Sequence, residues 1–343
     1  MNFYRLSKPI IITLLLFTCS CKHETSNSFY YWKSVYHLSQ LEEKCLSEQN
    51  VSKLYIRFFD VDWDESIGTV VPIAQIHFAE KVLPQYEIIP VVFIVNKTLH
   101  KTKFQDMANL ANKIIGQVNY IASENNINFS EFQVDCDWTE KTRSNYFALL
   151  NLLKRNLNEK GKILSATIRL HQVKYKSITG IPPVDRGMLM YYNMGKIAPE
   201  VTPNSVFNKN DAAKYIDYIP EYPLTLDVAL PAFSWGVHVR KGKVIELLNN
   251  MSLSDFENNA KFSPVDSSFF SAQESFFSKG FYFMKNDLVK VEEIKPVQCN
   301  VAAQQLIGKL AKSKRTVAIF HLDSLIISHY DKKDFEKVFN TYH

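Results

Sequence analysis

Past residue 28 the chain alternates short apolar runs with longer segments whose apolar residues recur every three or four positions. The runs are Phe29–Trp32, Leu54–Phe59, Ile88–Val95, Phe132–Asp137, Leu164–Arg169, Met188–Asn193, Leu224–Phe233 and Val317–Leu322. Being short, near-continuously apolar and rich in β-branched and aromatic residues, they read as parallel strands covered on both faces. Between them, the segment from Phe104 to Ser123 puts Met107, Leu110, Ile114, Ile115, Val118 and Ile121 on one helical face. The segment from Thr142 to Leu157 does the same through Tyr146, Leu149, Leu150, Leu153 and Leu157, and Val301 to Ala311 repeats the pattern. Strands alternating with helices imply βα units on a parallel sheet. Eight of them predict an α/β fold, a (β/α)8 TIM barrel, which typically takes about 250 residues. An open doubly wound sheet is the alternative, but no Gly-rich phosphate loop follows the first strand.

Between the seventh and eighth runs the rhythm breaks over about 65 residues, from Gly236 to Asn300. A basic hairpin-like stretch (VHVRKGKVIEL) and a Phe-rich stretch predict an elaborated loop insertion between strands 7 and 8, on the barrel's C-terminal face. If Phe269, Phe270, Phe276 and Phe277 are exposed together, they make a patch for a protein partner.

The N-terminus reads as an export signal over residues 1–20. Arg5 and Lys8 precede an apolar run, Ile10 to Phe17, too short to span a bilayer as a stable helix. It ends in Thr18-Cys19-Ser20-Cys21-Lys22. A cysteine after a small residue at this point resembles a bacterial lipobox, with Cys21 as the lipidated residue and Cys19 second; an ordinary secretory signal is the other reading. Residues 21–28 are then a polar tether, and 29–343 a single barrel domain with its insertion at about 236–300. The expected location is the envelope of a bacterial cell, anchored in a membrane through lipid. The remaining Cys45, Cys136 and Cys299 are odd in number and widely spaced, which is no disulfide framework.

Composition adds little beyond this. Of 343 residues, 46% are hydrophobic, enough for a large core, and the net charge of +5 is not gathered into runs, so nucleic acid is not an expected partner. No cofactor motif is present, and no HExxH or Cys/His spacing points to a metal.

The candidate chemistry lies at strand ends. In Phe132-Gln133-Val134-Asp135-Cys136-Asp137-Trp138-Thr139-Glu140, Gln133, Asp135 and Asp137 share a face. Two such carboxylates in a barrel mouth repel one another, which raises one pKa; the alternative is a helix cap beside a solvated Asp. This stretch resembles family 18 of the glycoside hydrolases, the chitinase-like barrels, whose fourth strand carries D-G-x-D-x-D-W-E. Asp135, Asp137 and Trp138 match it. Met190-Tyr191-Tyr192-Asn193 is similar to the sixth-strand M-x-Y-D, and Leu230-Pro231-Ala232-Phe233-Ser234-Trp235 to the seventh-strand apolar-Pro-x-aromatic segment. The resemblance implies a glycan or oligosaccharide as partner, with Asp137 orienting the sugar's acetamido group and Tyr192 bonding to it. It departs where chemistry matters most. Thr139 stands at the acid Glu, and Asn193 at the sixth-strand Asp. A threonine hydroxyl is no useful proton donor at neutral pH.

Three readings follow: a glycoside hydrolase-like enzyme with Asp137, Asp135 and Glu140 as catalytic candidates, a glycan-binding barrel that has lost the acid, or a protein-assembly lipoprotein. Glu140 reads equally as a helix N-terminal residue. Arg57 and Asp60 from the second strand, Arg169 and His171 from the fifth, Tyr192, Asn193, Trp235 and His321 complete the expected substrate-binding set. Arg57, a charge within an apolar strand, requires an aspartate partner if buried. Trp63 is placed to stack on a sugar, and Asp227, at the opposite end of its strand, reads as structural.

Overall fold

The computed structural model describes residues 25–198 and 204–342. Eight parallel strands close on themselves: β1 (Thr25–Tyr31), β2 (Lys53–Asp64), β3 (Glu87–Ile94), β4 (Glu131–Asp135), β5 (Ile163–Arg169), β6 (Arg186–Met190), β7 (Leu226–Pro231) and β8 (Arg315–Phe320). Each pairs with its sequence neighbours, and β1 closes the ring by pairing Phe29 with both Leu54 of β2 and Ile319 of β8. The fold is a (β/α)8 barrel. The apolar runs make strands because no edge is left unpaired and helices cover the outside. The faces predicted on Met107–Glu124 and Arg143–Asn158 are the faces buried against the sheet, through Leu110, Ile114, Val118, Leu149 and Leu153 among others. Each such side chain contributes about 1.5–3 kcal/mol by leaving water.

The first strand starts at Thr25, inside the segment expected to be tether. Its polar residues are held at the N-terminal face of the barrel: Thr25 donates to the Tyr342 carbonyl, Asn27 to Gln49 and Ser28 to Lys53. Cys19, Cys21 and the signal segment lie outside the described residues. Cys45, Cys136 and Cys299 are free and buried.

The barrel interior carries an unusual polar ladder. Glu131, Gln133 and Asp135 of β4 point inward at period two and are all buried. Ser165 donates to Glu131 at 2.6 Å, Tyr30 to Gln133 at 2.6 Å and Thr167 to Asp135 at 2.6 Å. On the N-terminal face Asp227 takes two bonds from Arg186, at 2.7 and 2.9 Å, and one from the Thr316 amide, a structural role.

Between β7 and β8 the chain builds a five-stranded antiparallel sheet from Ser234–Arg240, Lys243–Asn249, Phe262–Pro264, Phe269–Ala272 and Leu288–Glu293. The helix that follows, Pro296–Gln305, carries proline in its first turn and leads back to β8. The insertion has its own core, in which Phe256 stacks on Phe270 and Phe276 on Phe283. The condition for an aromatic patch is not met. Phe270 and Phe276 fill the interior of the small sheet, Phe269 is buried too, and of the four only Phe277 is exposed, at 76%.

Candidate functional site

The strand ends of the C-terminal face enclose a cleft of about 440 Å³. Its walls are Trp32 past β1, Arg57 and Asp60 of β2, Phe93 of β3, Asp135 and Asp137 from β4, and Arg169 of β5. Tyr192 and Asn193 past β6, Phe233, Ser234 and Trp235 past β7, and Phe320 and His321 from β8 complete the ring, with Asn249 and Asn250 reaching over from the insertion. The lining combines aromatic rings with a larger number of polar and charged groups, at the end of the barrel where ligand clefts are built.

On the β4–β6 side of the cleft, among the described residues, no buried polar side-chain atom of a lining residue lacks a hydrogen-bond partner. Asp135 accepts from Thr167 and lies 3.5 Å from Arg169. Asp137, two residues beyond the strand, accepts from Arg169 Nε at 2.5 Å. Burial, more than the neighbouring Asp137, raises the Asp135 pKa, while Arg169 opposes the rise. The two carboxylates hold the buried Arg169 firmly in its charged form. Tyr192 donates to Met190 Sδ at 3.1 Å, and burial raises its pKa. Asn193 takes a positive φ of 52°, which asparagine tolerates better than most residues, and its amide donates to the Val206 carbonyl at 2.7 Å.

The structure keeps Glu140 out of the cleft. Trp138 points outward from the barrel, buried against Tyr146 at 5.0 Å, with its indole donating to the Thr179 carbonyl. The chain then turns away, the Thr139 amide bonding to Thr142 Oγ1 at 2.9 Å, so Thr139 and Glu140 are both exposed. His171 lines an adjoining hollow with Met194 and Tyr215, beyond a ridge made by Asp137, Arg169, Tyr192 and Asn193. Burial lowers its pKa.

The opposite side differs. A bulge in β2 shifts the register between Arg57 and Phe59, so Arg57 and Asp60 line the same cleft despite their odd spacing. They lie 3.5 Å apart, with the guanidinium 5.6 Å over the Trp32 ring. Asp62 turns to Lys97 instead, and Trp63 lines a separate hollow with Asp106. Among the described residues, nine buried side-chain atoms lack a hydrogen-bond partner, and four of the nine belong to this wall: Arg57 Nε, Asp60 Oδ1, Ser234 Oγ and His321 Nδ1. Burial raises the Asp60 pKa and pushes that of His321 down to about 4, leaving the ring neutral.

Trp235 is fixed from behind. Glu292, buried in the insertion, accepts the indole N–H at 2.8 Å and the Ser205 hydroxyl, and pairs with Lys290 at 2.6 Å. The Ser205 loop reaches this point because Gly195 lets it approach; a Cβ there would lie 2.8 Å from Ser205 Cα. Phe320 packs on Trp32, Tyr192 and Phe233, which joins the aromatic wall into one surface.

Of the expected site residues, the cleft gathers Asp135, Asp137, Tyr192, Asn193, Trp235, Arg57, Asp60, Arg169 and His321. Sequence reasoning passed over Trp32, Phe93, Phe233, Ser234 and Phe320, although all stand at or just past the end of an apolar run. Asn249, Asn250 and Glu292 carry no such signal. Among the described residues no group of three or more His, Cys, Asp or Glu side chains is arranged to hold a metal ion.

No family model matches the chain, and neither does any curated protein sequence. Solved structures match its fold. The chain is similar to the Bacillus cereus spore cortex-lytic enzyme SleL, with a TM-score of 0.54 at 12% identity, covering 94% of this chain and 75% of that one. The C-terminal domain of a putative chitinase from Desulfitobacterium hafniense aligns with a TM-score of 0.53 at 11% identity, over 93% of this chain and 98% of that one. A chitinase from Chromobacterium violaceum gives 0.51 at 12% identity, over 91% and 98%. At this level of identity the likeness concerns the barrel fold.

Proposed function

We propose that the chain binds a glycan in this cleft without cleaving it. The observation that carries the reading is the lining itself: a joined aromatic surface from Trp32 to Trp235, suited to the apolar face of a sugar ring, beside inward-facing polar atoms suited to its hydroxyls. Solved barrels of similar fold include chitinases and a spore cortex-lytic enzyme, which supports a glycan as the ligand class. Two features argue against cleavage. Thr139, at the position where the resemblance expects the acid, is exposed outside the cleft. Asp137 is engaged by Arg169 at 2.5 Å and is not free to reach a ligand.

One observation favours a hydrolytic reading. Asp60 lines the cleft with one oxygen unpartnered and its pKa raised by burial, as an acid requires. The two readings separate on a glycan panel, with the purified full-length chain assayed for binding and for reducing-end release. The binding reading expects affinity with no release. Release that disappears in Asp60→Asn replaces it with the hydrolase.

The proposal includes location. Export and lipid attachment at Cys21 rest on the sequence pattern alone. Only Lys22, His23 and Glu24 separate that cysteine from β1, which starts on the face opposite the cleft, so an anchored chain presents its cleft away from the membrane. Cys21→Ser leaving the protein in the membrane fraction of cells would sink this part.

A further inference from the structure

The mouth of the barrel divides into two arcs. Strands β7, β8, β1 and β2 are consecutive in the closed sheet; Ser234, His321 and Trp32 stand just past the ends of the first three, and Arg57 and Asp60 lie within β2, on either side of its bulge. Among the described residues, the four buried unpartnered atoms that belong to residues of the cleft wall all lie on this arc, and none lies on the β4–β6 arc. A buried polar atom without a partner weakens a fold, and native structures hold few of them. Four gathered on one wall of one cleft call for a ligand. Ser234 is 2% exposed and His321 8%, so neither is an ordinary solvated surface group.

We infer that Arg57, Asp60, Ser234 and His321 form the recognition face for an uncharged, hydroxyl-rich sugar ring, while the Asp135–Arg169–Asp137 arc is scaffold. This rests on the glycan-binding reading above and says which wall reads the ligand. The donor and acceptor sets fit. Arg57 Nε only donates, Asp60 Oδ1 accepts, Ser234 Oγ does both, and the neutral His321 ring has one donor and one acceptor nitrogen. A sugar hydroxyl both donates and accepts, so adjacent hydroxyls meet such a set without a charge of their own. The Trp32 ring lies under the Arg57 guanidinium at 5.6 Å and packs at a tilt on Phe320, which ties this wall to the aromatic side of the cleft. An anionic sugar finds no free cation here: Arg57 is paired with Asp60, and Arg169 with Asp135 and Asp137. Sulfate, phosphate or uronate would meet three carboxylates against two guanidinium groups.

The test uses the full-length chain with cello-, chito- and malto-oligosaccharides beside heparin and polygalacturonate fragments. Affinity and melting temperature are measured for wild type, Ser234→Ala, His321→Gln and Asp137→Asn. The expected result is binding to a neutral oligosaccharide, weakened about five- to tenfold by Ser234→Ala and by His321→Gln, and less by Asp137→Asn. The melting temperature of Ser234→Ala is expected to hold or rise, since the substitution removes an unpaired buried hydroxyl; a fall would mean a hidden structural partner and overturn the argument. Full affinity in Ser234→Ala and His321→Gln, with the loss carried by Asp137→Asn, overturns the inference and leaves the glycan reading standing. Preference for the anionic fragments overturns the uncharged class. Absence of binding to every glycan removes the reading and this inference with it.

Discussion

The β4–β6 arc of the barrel mouth and the β7–β2 arc are built from similar residue types and have opposite electrostatic states. On the first, Asp135, Thr167, Arg169 and Asp137 form a chain of charge-assisted bonds that satisfies each member. On the second, Arg57 and Asp60 meet at 3.5 Å and still leave a donor and an acceptor unpaired, next to Ser234 Oγ and His321 Nδ1, which also lack partners. The first network is closed and stabilises the fold. The second is open: its unpartnered polar atoms lower stability, and the recognition proposed for this wall would account for them.

The comparison breaks most visibly at Arg169. Arg169→Met leaves Asp135 buried without its counter-ion and should cost about 3–5 kcal/mol near neutral pH in urea unfolding. Asp135 already has a raised pKa in the fold, so its contribution is favourable at low pH and is lost as pH rises through the folded value. The deficit of the variant should therefore shrink as pH falls and Asp135 takes up a proton. A deficit independent of pH would mean that lost packing, and not the charge, is responsible.

The open arc responds to pH in the other direction. With a folded pKa of about 4 against about 6.5 unfolded, His321 binds its proton more readily in the unfolded chain, so its contribution is full above the unfolded value and is lost as pH falls from there to about 4. The shift corresponds to about 3 kcal/mol. Stability curves of wild type and His321→Gln between pH 4 and 7 should converge at the acid end by this order. Parallel curves would place His321 in contact with water.

Thr167→Val removes one donor from the closed network and should destabilise by about 1–3 kcal/mol, a hydrogen bond to a charged group, again by urea unfolding. The smallest effect is expected from Thr139→Glu. A carboxylic acid placed at that position should not start glycoside release, because the chain carries Thr139 outside the cleft and Arg169 still holds Asp137. Release by that single variant would mean that the turn at Thr139–Thr142 swings inward and that the closed arc is latent chemistry.

Much of the fold was legible in the chain. The eight apolar runs and the helical faces of 107–124 and 143–158 depend on residues close in sequence, and burial on both faces leaves a pattern of composition that can be read directly. Asp135 and Asp137 could be placed at the barrel mouth because they end such a run, and Tyr192 and Trp235 because of the family resemblance; all four line the cleft. Glu140 was misplaced because one turn, held by Thr142 and by the outward-packed Trp138, decides which way the chain leaves β4. Whether the Phe-rich stretch of the insertion was core or surface stayed open, since no local pattern distinguishes a small sheet's core from an exposed patch.

What the sequence by itself determined is the set of strands, their order, and hence which residues stand at the barrel mouth. The tertiary structure decided how those residues are used. The bulge in β2 sets Arg57 beside Asp60, two carboxylates from β4 converge on Arg169 of β5, and a glutamate from the insertion pins Trp235. Each depends on chain segments remote in sequence meeting in a low-dielectric interior, where a charge must be paired and an unpaired polar atom is costly. A linear pattern does not record such meetings.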